Sequence, residues 1–346
     1  MQIVIVAGGG GSRLWPMSTP DKPKQFIPII NQTSSLEMVY GYISSAFTPD
    51  SIWINTNSRY KQLVSDILPD FDISHILTEP EKRDNFAAVA VQAARIAHEY
   101  GADEPIVFTT SDEFFGSDTS SSKFTNALRS IGNELKTGSY DIITMGVKAT
   151  NPNVNYGYVE LNPTNKTRVF DEVVPVLQFK EKPSESTARQ YLDSGNFVWN
   201  KFNPSFTYAT LKKVIDTHHP GLAELFNTIY TTGHCSDEMY AQIPKISFDY
   251  AVMEKVDSMG IIALDIEDWI DVGNWQVAFQ YLPEPEDNVL QIEAKNNKLL
   301  TTNNDLIKKI GFVGVEGLLV VESEGRLLIV DPTKAAKVKE VTDYFE

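Results

Sequence analysis

The chain has 346 residues, 42% apolar and 22% charged, with a formal net charge of −16. That length and balance describe a folded chain of about two domains, not a disordered one. The acid excess counts against nucleic acid and anionic membrane surfaces as partners, and the single cysteine, Cys235, excludes an intrachain disulfide and a cysteine-cluster zinc site.

Residues 3–7, Ile-Val-Ile-Val-Ala, form a continuous β-branched run of the kind that fills a buried parallel strand. A glycine loop follows, then helical spacing over 36–47, a strand at 52–55, a helix capped by Asn57 or Ser58 and running to Leu68, and a strand at 73–77. Residues 85–100 are rich in alanine with apolar spacing of three and four, and Gly101 ends them. Strands at 106–109 and 142–147 continue the alternation. This order predicts an α/β fold: a Rossmann-like open, mostly parallel sheet with helices on both faces, whose ligands bind beyond the carboxyl ends of the strands. The next stretch holds strands at 156–160 and 173–179 and helices near 186–194, 206–217 and 222–230. Residues 283–287, Pro-Glu-Pro-Glu-Asp, read as a linker. Beyond it come a strand at 311–315, a hairpin over 318–330 turning at Gly325, and a helix at 334–345. No internal repeat of fixed period stands out. Residues 1–280 are assigned to one domain and 281–346 to a small β-rich one. No apolar run reaches membrane-spanning length and residues 3–7 lack the basic flank of a signal peptide, so a cytoplasmic location is expected.

The first loop reads Gly8-Gly9-Gly10-Gly11-Ser12-Arg13-Leu14-Trp15-Pro16. No Gly-Lys-Ser/Thr closes it as a Walker A loop would be closed, and the third glycine of a dinucleotide fingerprint is missing. Read alone, it is either a tight strand-to-helix turn or a backbone cradle for phosphate. Arg13 and the following Lys22-Pro23-Lys24-Gln25-Phe26 gather cations around it in an acidic chain, which favours a polyphosphate site.

From Ala7 to Pro16, with Pro23-Lys24-Gln25-Phe26, the sequence resembles the signature of sugar-phosphate nucleotidyltransferases, specifically the mannose-1-phosphate guanylyltransferases. The likeness continues in order through Glu79-Pro80 with Arg83, Ser111-Asp112, Tyr156-Gly157-Tyr158, Phe179-Lys180-Glu181-Lys182-Pro183, residues 248–255 (Phe-Asp-Tyr-Ala-Val-Met-Glu-Lys) and Trp269-Ile270-Asp271-Val272-Gly273-Asn274-Trp275. It is strong as far as Trp275 and weak beyond. The resemblance implies transfer of GMP from GTP to α-D-mannose 1-phosphate, giving GDP-mannose and pyrophosphate.

It also implies roles. Ala7, Gly8, Gly9, Gly10, Gly11 and Ser12 would bind the nucleotide, and Arg13 and Lys24 the triphosphate and departing pyrophosphate. Glu79, Arg83, Asp84 and Asn85 fall on the base side, where Asp84 or Asn85 is equally a helix N-cap. Asp112 and Asp271, otherwise readable as turn residues, would hold Mg²⁺. Lys182 would take the sugar phosphate, and Gly157, Glu181 and Asn200 the sugar hydroxyls. Asp249 is either a support residue or a helix N-terminal acid. No general base is required, because the attacking phosphate oxygen is already ionised. The tail after 280 is too short for a fused phosphomannose isomerase domain. It resembles the β-rich tail of single-function members, implying left-handed β-helix character and a homodimer formed through it.

The chain departs from the family pattern in three places. Asp84-Asn85-Phe86-Ala87 replaces Asn-Thr-Ala-Pro. Glu113 replaces a histidine and puts an extra carboxylate beside the metal site. Lys201-Phe202-Asn203-Pro204 replaces Ser-Gly-Met/Ile-Phe after Asn200, a change expected to alter the sugar pocket.

Overall fold

Nine strands of one sheet organise most of the chain: β1 (Gln2–Val6), β2 (Ile52–Asn57), β3 (Ile76–Glu79), β4 (Pro105–Thr110), β5 (Ile142–Lys148), β6 (Gly157–Leu161), β7 (Val174–Lys180), β8 (Phe197–Thr207) and β9 (Met259–Leu264). Their spatial order is β3-β2-β1-β4-β8-β5-β9-β7-β6. The computed structural model describes residues 1–30, 32–154, 156–170, 172–180, 183–284, 288–302 and 309–345.

The N-terminal half is the expected doubly wound unit. β1 is parallel to both β2 and β4, and β2 is parallel to β3. The helix Asp84–Tyr100 packs its alanine-rich face on one side of it, with Phe86, Val89, Ala93 and Ile96 buried. The helix Ser35–Ser44 covers the other side, its first turn closed by a reciprocal capping box between Ser34 and Glu37.

The sheet as a whole is mixed, not mostly parallel. β8 runs antiparallel to β4, β5 and β6, and β7 runs antiparallel to β6 and β9. β8 carries Pro204, which cannot donate a ladder hydrogen bond and so reads as a strand breaker. The pairing register with β5 shifts between Lys201 and Ser205, so the proline sits at an irregularity and the strand continues past it. The helix expected over 206–217 therefore begins later, at Tyr208–His218. β6 also pairs with β8, so β8, β5, β9, β7 and β6 close a ring of hydrogen bonds. Val159, Leu161, Val174, Val198, Ile261 and Ala263 pack together between its strands. Gly146 on β5 is required there, because a β-carbon would meet Val198 Cγ2 at 2.9 Å and the Trp199 carbonyl at 3.0 Å.

Two elements carried no strong sequence signal. The helix Asp118–Leu135 opens on serines yet buries Phe124, Leu128, Ile131 and Leu135. The strand Met259–Leu264 is a short apolar run. A two-stranded ribbon stands apart from the main sheet, pairing Glu113–Phe115 with Trp269–Asp271 in antiparallel register.

The linker expected at 283–287 falls partly outside the described residues. Beyond it, Val289–Ile292 lies parallel to Ile310–Val313, and Lys298–Thr301 parallel to Leu319–Ser323. Both pairings have the same offset of 21 residues. That periodicity escapes the sequence because no residue in these strands stacks on one of its own kind. Asn297, fully buried, donates from Nδ2 to the Val315 carbonyl at 2.9 Å and accepts the Leu318 amide at 2.8 Å, which pins one coil on the next. The hairpin Leu319–Ser323/Arg326–Val330 turns through Glu324 and Gly325, both at positive φ (53° and 79°), as a tight two-residue turn requires. Leu319, Val321, Leu328 and Val330 share one apolar cluster with Leu14, Trp15, Ile270 and Trp275. The C-terminal part thus rests directly on the segment that carries Arg13. Among the described residues no helix is long and apolar enough to cross a membrane.

Candidate active site

The glycine loop leaves the carboxyl end of β1 from a fixed point. The Ala7 amide donates to the Asn55 carbonyl at 2.7 Å, and the Ala7 carbonyl accepts from Gln25 Nε2 at 3.0 Å and Thr56 Oγ1 at 2.9 Å. Gly9 and Gly11 have φ of 106° and 66°. A β-carbon at Gly11 would lie 2.6 Å from Lys24 Cβ and 2.6 Å from Ser18 Oγ, so glycine is needed for space as well as for conformation. Gly8 and Gly10 are free of such contacts closer than 4.0 Å. The loop ends in the short turn Ser12–Leu14. The Ser12 carbonyl accepts from Thr342 Oγ1 at 2.6 Å, and Phe345 stacks on Trp15 with ring centroids 5.7 Å apart. The side chain of Arg13 is exposed.

The segment Pro23-Lys24-Gln25-Phe26 divides its labour. Gln25 and Phe26 point into the protein, Gln25 to the Ala7 carbonyl and Phe26 into the core. Lys24 reaches the other way. Its Nζ is 2.5 Å from Asp112 Oδ2 and 3.6 Å from Asp271 Oδ1. These aspartates, far apart in sequence, are joined by the ribbon: Asp112 precedes its first strand, and Asp271, on its second, pairs with Glu113. Burial opposes the Asp112 charge, but Lys24 outweighs it and holds the carboxyl below its ordinary range. Burial and the Asp112 charge push Asp271 the other way, against Lys24 and Arg13. At Gly273, a β-carbon would stand 3.4 Å from Asp271 Oδ1 and 3.7 Å from Arg13 Nη2. One locus therefore gathers Arg13, Lys24, Asp112 and Asp271 beside the glycine loop.

A hard divalent cation fits this locus. Asp271 Oδ1 is buried and accepts no hydrogen bond from the described residues, and the Lys24 ammonium stands between the two carboxylates where positive charge is wanted. Among the described residues no group of three or more potential ligands gathers anywhere. A pair of carboxylates suits Mg²⁺, which keeps several waters and shares substrate phosphates.

Glu113 is engaged through one oxygen, Oε1, while its Oε2 is buried and accepts no hydrogen bond from the described residues. Its carboxylate is only 2% exposed and ion-paired with Lys201, which is equally buried. It also accepts from Thr110 Oγ1 at 2.9 Å and Thr109 Oγ1 at 3.2 Å. Lys201 in turn donates to Asn203 Oδ1 at 2.5 Å and lies 4.7 Å over the Phe124 ring. The Lys201 to Pro204 departure thus serves the core beneath the aspartates, and none of these residues lines the two cavities described below.

On the β2–β3 side a cleft of about 440 Å³ is lined by Ala7, Gly8, Gly9, Gly10, Tyr60, Glu79 and Lys82, among others. Glu79 accepts from Tyr240 Oη at 2.7 Å and Asn55 Nδ2 at 2.8 Å, yet its burial raises its pKa despite both bonds. Tyr240 was not singled out in the sequence, for it lies in no motif. Arg83 and Asn85 are occupied elsewhere: Arg83 Nη1 donates to the Ile243 carbonyl at 2.8 Å, and Asn85 Oδ1 accepts the Phe248 amide at 2.6 Å. Asp84 accepts the adjacent Asn85 amide and has φ of 62°. Neither residue caps the helix; it starts after Arg83 with no side-chain cap. The Ser247 hydroxyl caps the short helix that carries Asp249.

Across the aspartates a second cavity of about 220 Å³ is lined by Asn153, Tyr156, Trp199, Trp269 and Asp271, among others. Gly157 and Asn200 sit opposite one another on β6 and β8, and Asn200 Oδ1 accepts from Thr144 Oγ1 at 3.1 Å. Their neighbours Tyr156 and Trp199, not they, form the cavity wall. The indole N–H groups of Trp199 and Trp269 are buried without partners among the described residues, and the Tyr156 phenol is pushed up to about 12 by burial and then by Asp271 and Asp112. Tyr156 and Trp269 stood inside recognised motifs and Trp199 just before Asn200, but nothing in their spacing gave them a role. Glu181 and Lys182 lie outside the described residues.

A glycine loop at a strand's carboxyl edge, two cations and two apposed aspartates thus meet at one locus. The chain belongs to the nucleotidyl transferase family, whose model matches residues 2–286. It is similar to the mannose-1-phosphate guanylyltransferases of Sinorhizobium fredii and Klebsiella pneumoniae, at 28% identity in each case over 340 and 355 residues. These alignments take in 94% and 99% of the chain, but the chain spans only 64% and 73% of those proteins. A crystal structure from Thermus thermophilus, described as a mannose-1-phosphate geranyltransferase, superposes with a TM-score of 0.84 at 26% identity, covering 99% of this chain and 98% of that one.

Proposed function

We propose that this protein transfers GMP from GTP to α-D-mannose 1-phosphate, forming GDP-mannose and pyrophosphate, with Mg²⁺ held by Asp112 and Asp271. The observation that carries the reading is the single locus where Lys24 bridges both aspartates at the edge of the glycine loop. The guanylyltransferase relatives support the choice of nucleotide and sugar.

In this reading the backbone N–H groups of residues 8–11 face the triphosphate. Arg13 and Lys24 neutralise the β- and γ-phosphates and the pyrophosphate that leaves. When bound, a divalent cation held by Asp112 and Asp271 would offset the charge that gathers on the phosphates. An oxygen of the sugar phosphate attacks the α-phosphorus as the bond to the bridging oxygen breaks, so the residues position and neutralise and no proton need move. Lys182 holds the sugar phosphate. Glu181, Asn200 and the Gly157 backbone meet the sugar hydroxyls, next to the wall formed by Tyr156 and Trp199. The base lies toward Glu79, with Arg83, Asp84 and Asn85 shaping that edge from behind.

The tail after 280 forms a coil of left-handed β-helix character, supported by its two stacked parallel pairs. It joins two copies of the chain. Leu290, Val313 and Ile329 are each more than 60% exposed there, and a partner would cover them. The whole acts in the cytoplasm. Mass spectrometry of a reaction of GTP with mannose 1-phosphate tests the proposal. GDP-mannose and pyrophosphate in equal amounts are expected, lost in Lys24→Met. Hydrolysis of GTP without a sugar nucleotide would refute it.

A further inference from the structure

Glu113 and Lys201 look unrelated in the sequence, yet they form one buried unit under the catalytic locus. Both side chains are 2% exposed and paired with each other. Glu113 follows Asp112 directly and pairs across the ribbon with Asp271, so its backbone adjoins both residues proposed to hold the cation. The unit is tied to the main sheet at both ends. Thr109 and Thr110, at the end of β4, donate to Glu113. Asn203, on β8, accepts from Lys201 and donates from Nδ2 to the Phe108 carbonyl at 2.9 Å. Burial lowers the Lys201 pKa, against the opposing pull of Glu113 and, more weakly, Asp112.

A buried ammonium without a partner either finds an anion or gives up its proton. Here that anion is Glu113, which leaves Asp112 to Lys24 and the metal. We propose that the Lys201–Glu113 pair is a positioning device: it anchors the Asp112–Glu113 turn to the sheet and keeps the Lys201 charge from occupying the Asp112 carboxylate. The inference rests on the proposed role of Asp112 and Asp271 as cation ligands, and it concerns residues assigned no part in that role.

The consequence is asymmetric. Glu113→Gln frees the Lys201 ammonium to take Asp112, and cation binding weakens. Lys201→Met removes the competing charge, and cation binding is kept. The double variant Glu113→Gln/Lys201→Met carries no competing charge and recovers what the first variant lost. The probe is Mn²⁺ alone, titrated into the full chain without nucleotide, with free Mn²⁺ read by electron paramagnetic resonance. Glu113→Gln should weaken Mn²⁺ binding about tenfold, the scale of one pKa unit of charge interaction. Lys201→Met and the double variant should stay within about threefold of the parent, well inside that scale. The double variant keeps side-chain volume and leaves no lone buried charge, so it reports even if a single variant fails to fold. Parental Mn²⁺ affinity in Glu113→Gln, additive losses, or a double variant as weak as a weakened Glu113→Gln would overturn the inference. Failure of the parent chain itself to bind Mn²⁺ would overturn the metal assignment, and the inference with it, whatever the variants do.

Discussion

The glycine loop offers a test that separates folding from phosphate binding, because Gly10 and Gly11 are adjacent but differently constrained. Alanine at Gly11 would need φ of 66° and would place its β-carbon 2.6 Å from both Lys24 Cβ and Ser18 Oγ. The left-handed conformation costs about 1 kcal/mol and the overpacking about 2 kcal/mol. Unfolding entropy of about 2.1 cal/mol/K per residue over a chain of this length amounts to roughly 0.7 kcal/mol/K, so Gly11→Ala should lower Tm by about 4 °C. The atom it strikes belongs to Lys24, so turnover should fall as well. Alanine at Gly10 meets nothing within 4 Å and has no positive φ. Gly10→Ala should leave Tm within about 1 °C of the parent. If the loop backbone approaches the triphosphate, the added methyl raises KM for GTP about tenfold or more. Differential scanning fluorimetry and initial rates across a GTP series read both effects. A Gly10→Ala protein with parental KM would refute the cradle, and a Gly11→Ala protein with parental Tm would refute the packing argument.

Other outcomes follow from the same geometry. Asp112→Asn should reduce kcat by about 10²–10³ while shifting Tm by less than about 2 °C, since the Lys24–Asp112 pair is partly exposed; near-parental kcat would remove Asp112 from the metal site. Lys182→Ala should raise KM for mannose 1-phosphate far more than KM for GTP in initial-rate measurements, and equal effects would contradict its assignment. Excess EDTA should abolish turnover, with Mg²⁺ restoring it, and lower Tm by about 4 °C from a protein held at a hundred times the Mg²⁺ Kd; full activity in EDTA would exclude a metal step. Burial pushes the Cys235 thiol up to about 11. A raised pKa means less thiolate, so at pH 8 the folded protein should react with a disulfide reagent on the order of a hundredfold more slowly than the urea-unfolded chain.

Much of the site was legible because its parts are local. A β-branched run, four glycines and a Pro-Lys-Gln-Phe segment encode strand, loop and anchor within a few residues, and the structure uses each for a distinct contact. The ribbon that brings Asp112 to Asp271 was not legible, because it pairs two three-residue strands distant in sequence and neither strand carries a period. β8 was hidden by Pro204, whose cost as a strand residue is absorbed by the register shift beside it. Asp84 and Asn85 have the right chemistry for a helix cap, but a distant backbone, the Phe248 amide, claims the Asn85 side chain. Glu113 and Lys201 read as two separate losses from a pattern; only the fold shows that each supplies the partner the other needs.

The most direct measurement is pyrophosphate release with Mg²⁺ across the four nucleoside triphosphates and several hexose 1-phosphates, compared by kcat/KM. The account predicts that GTP with mannose 1-phosphate is the fastest pair by at least tenfold, a margin of about 1.4 kcal/mol in transition-state binding. A different pair in front would keep the chemistry but contradict the assigned substrates, and no release from any pair would contradict the account at its centre.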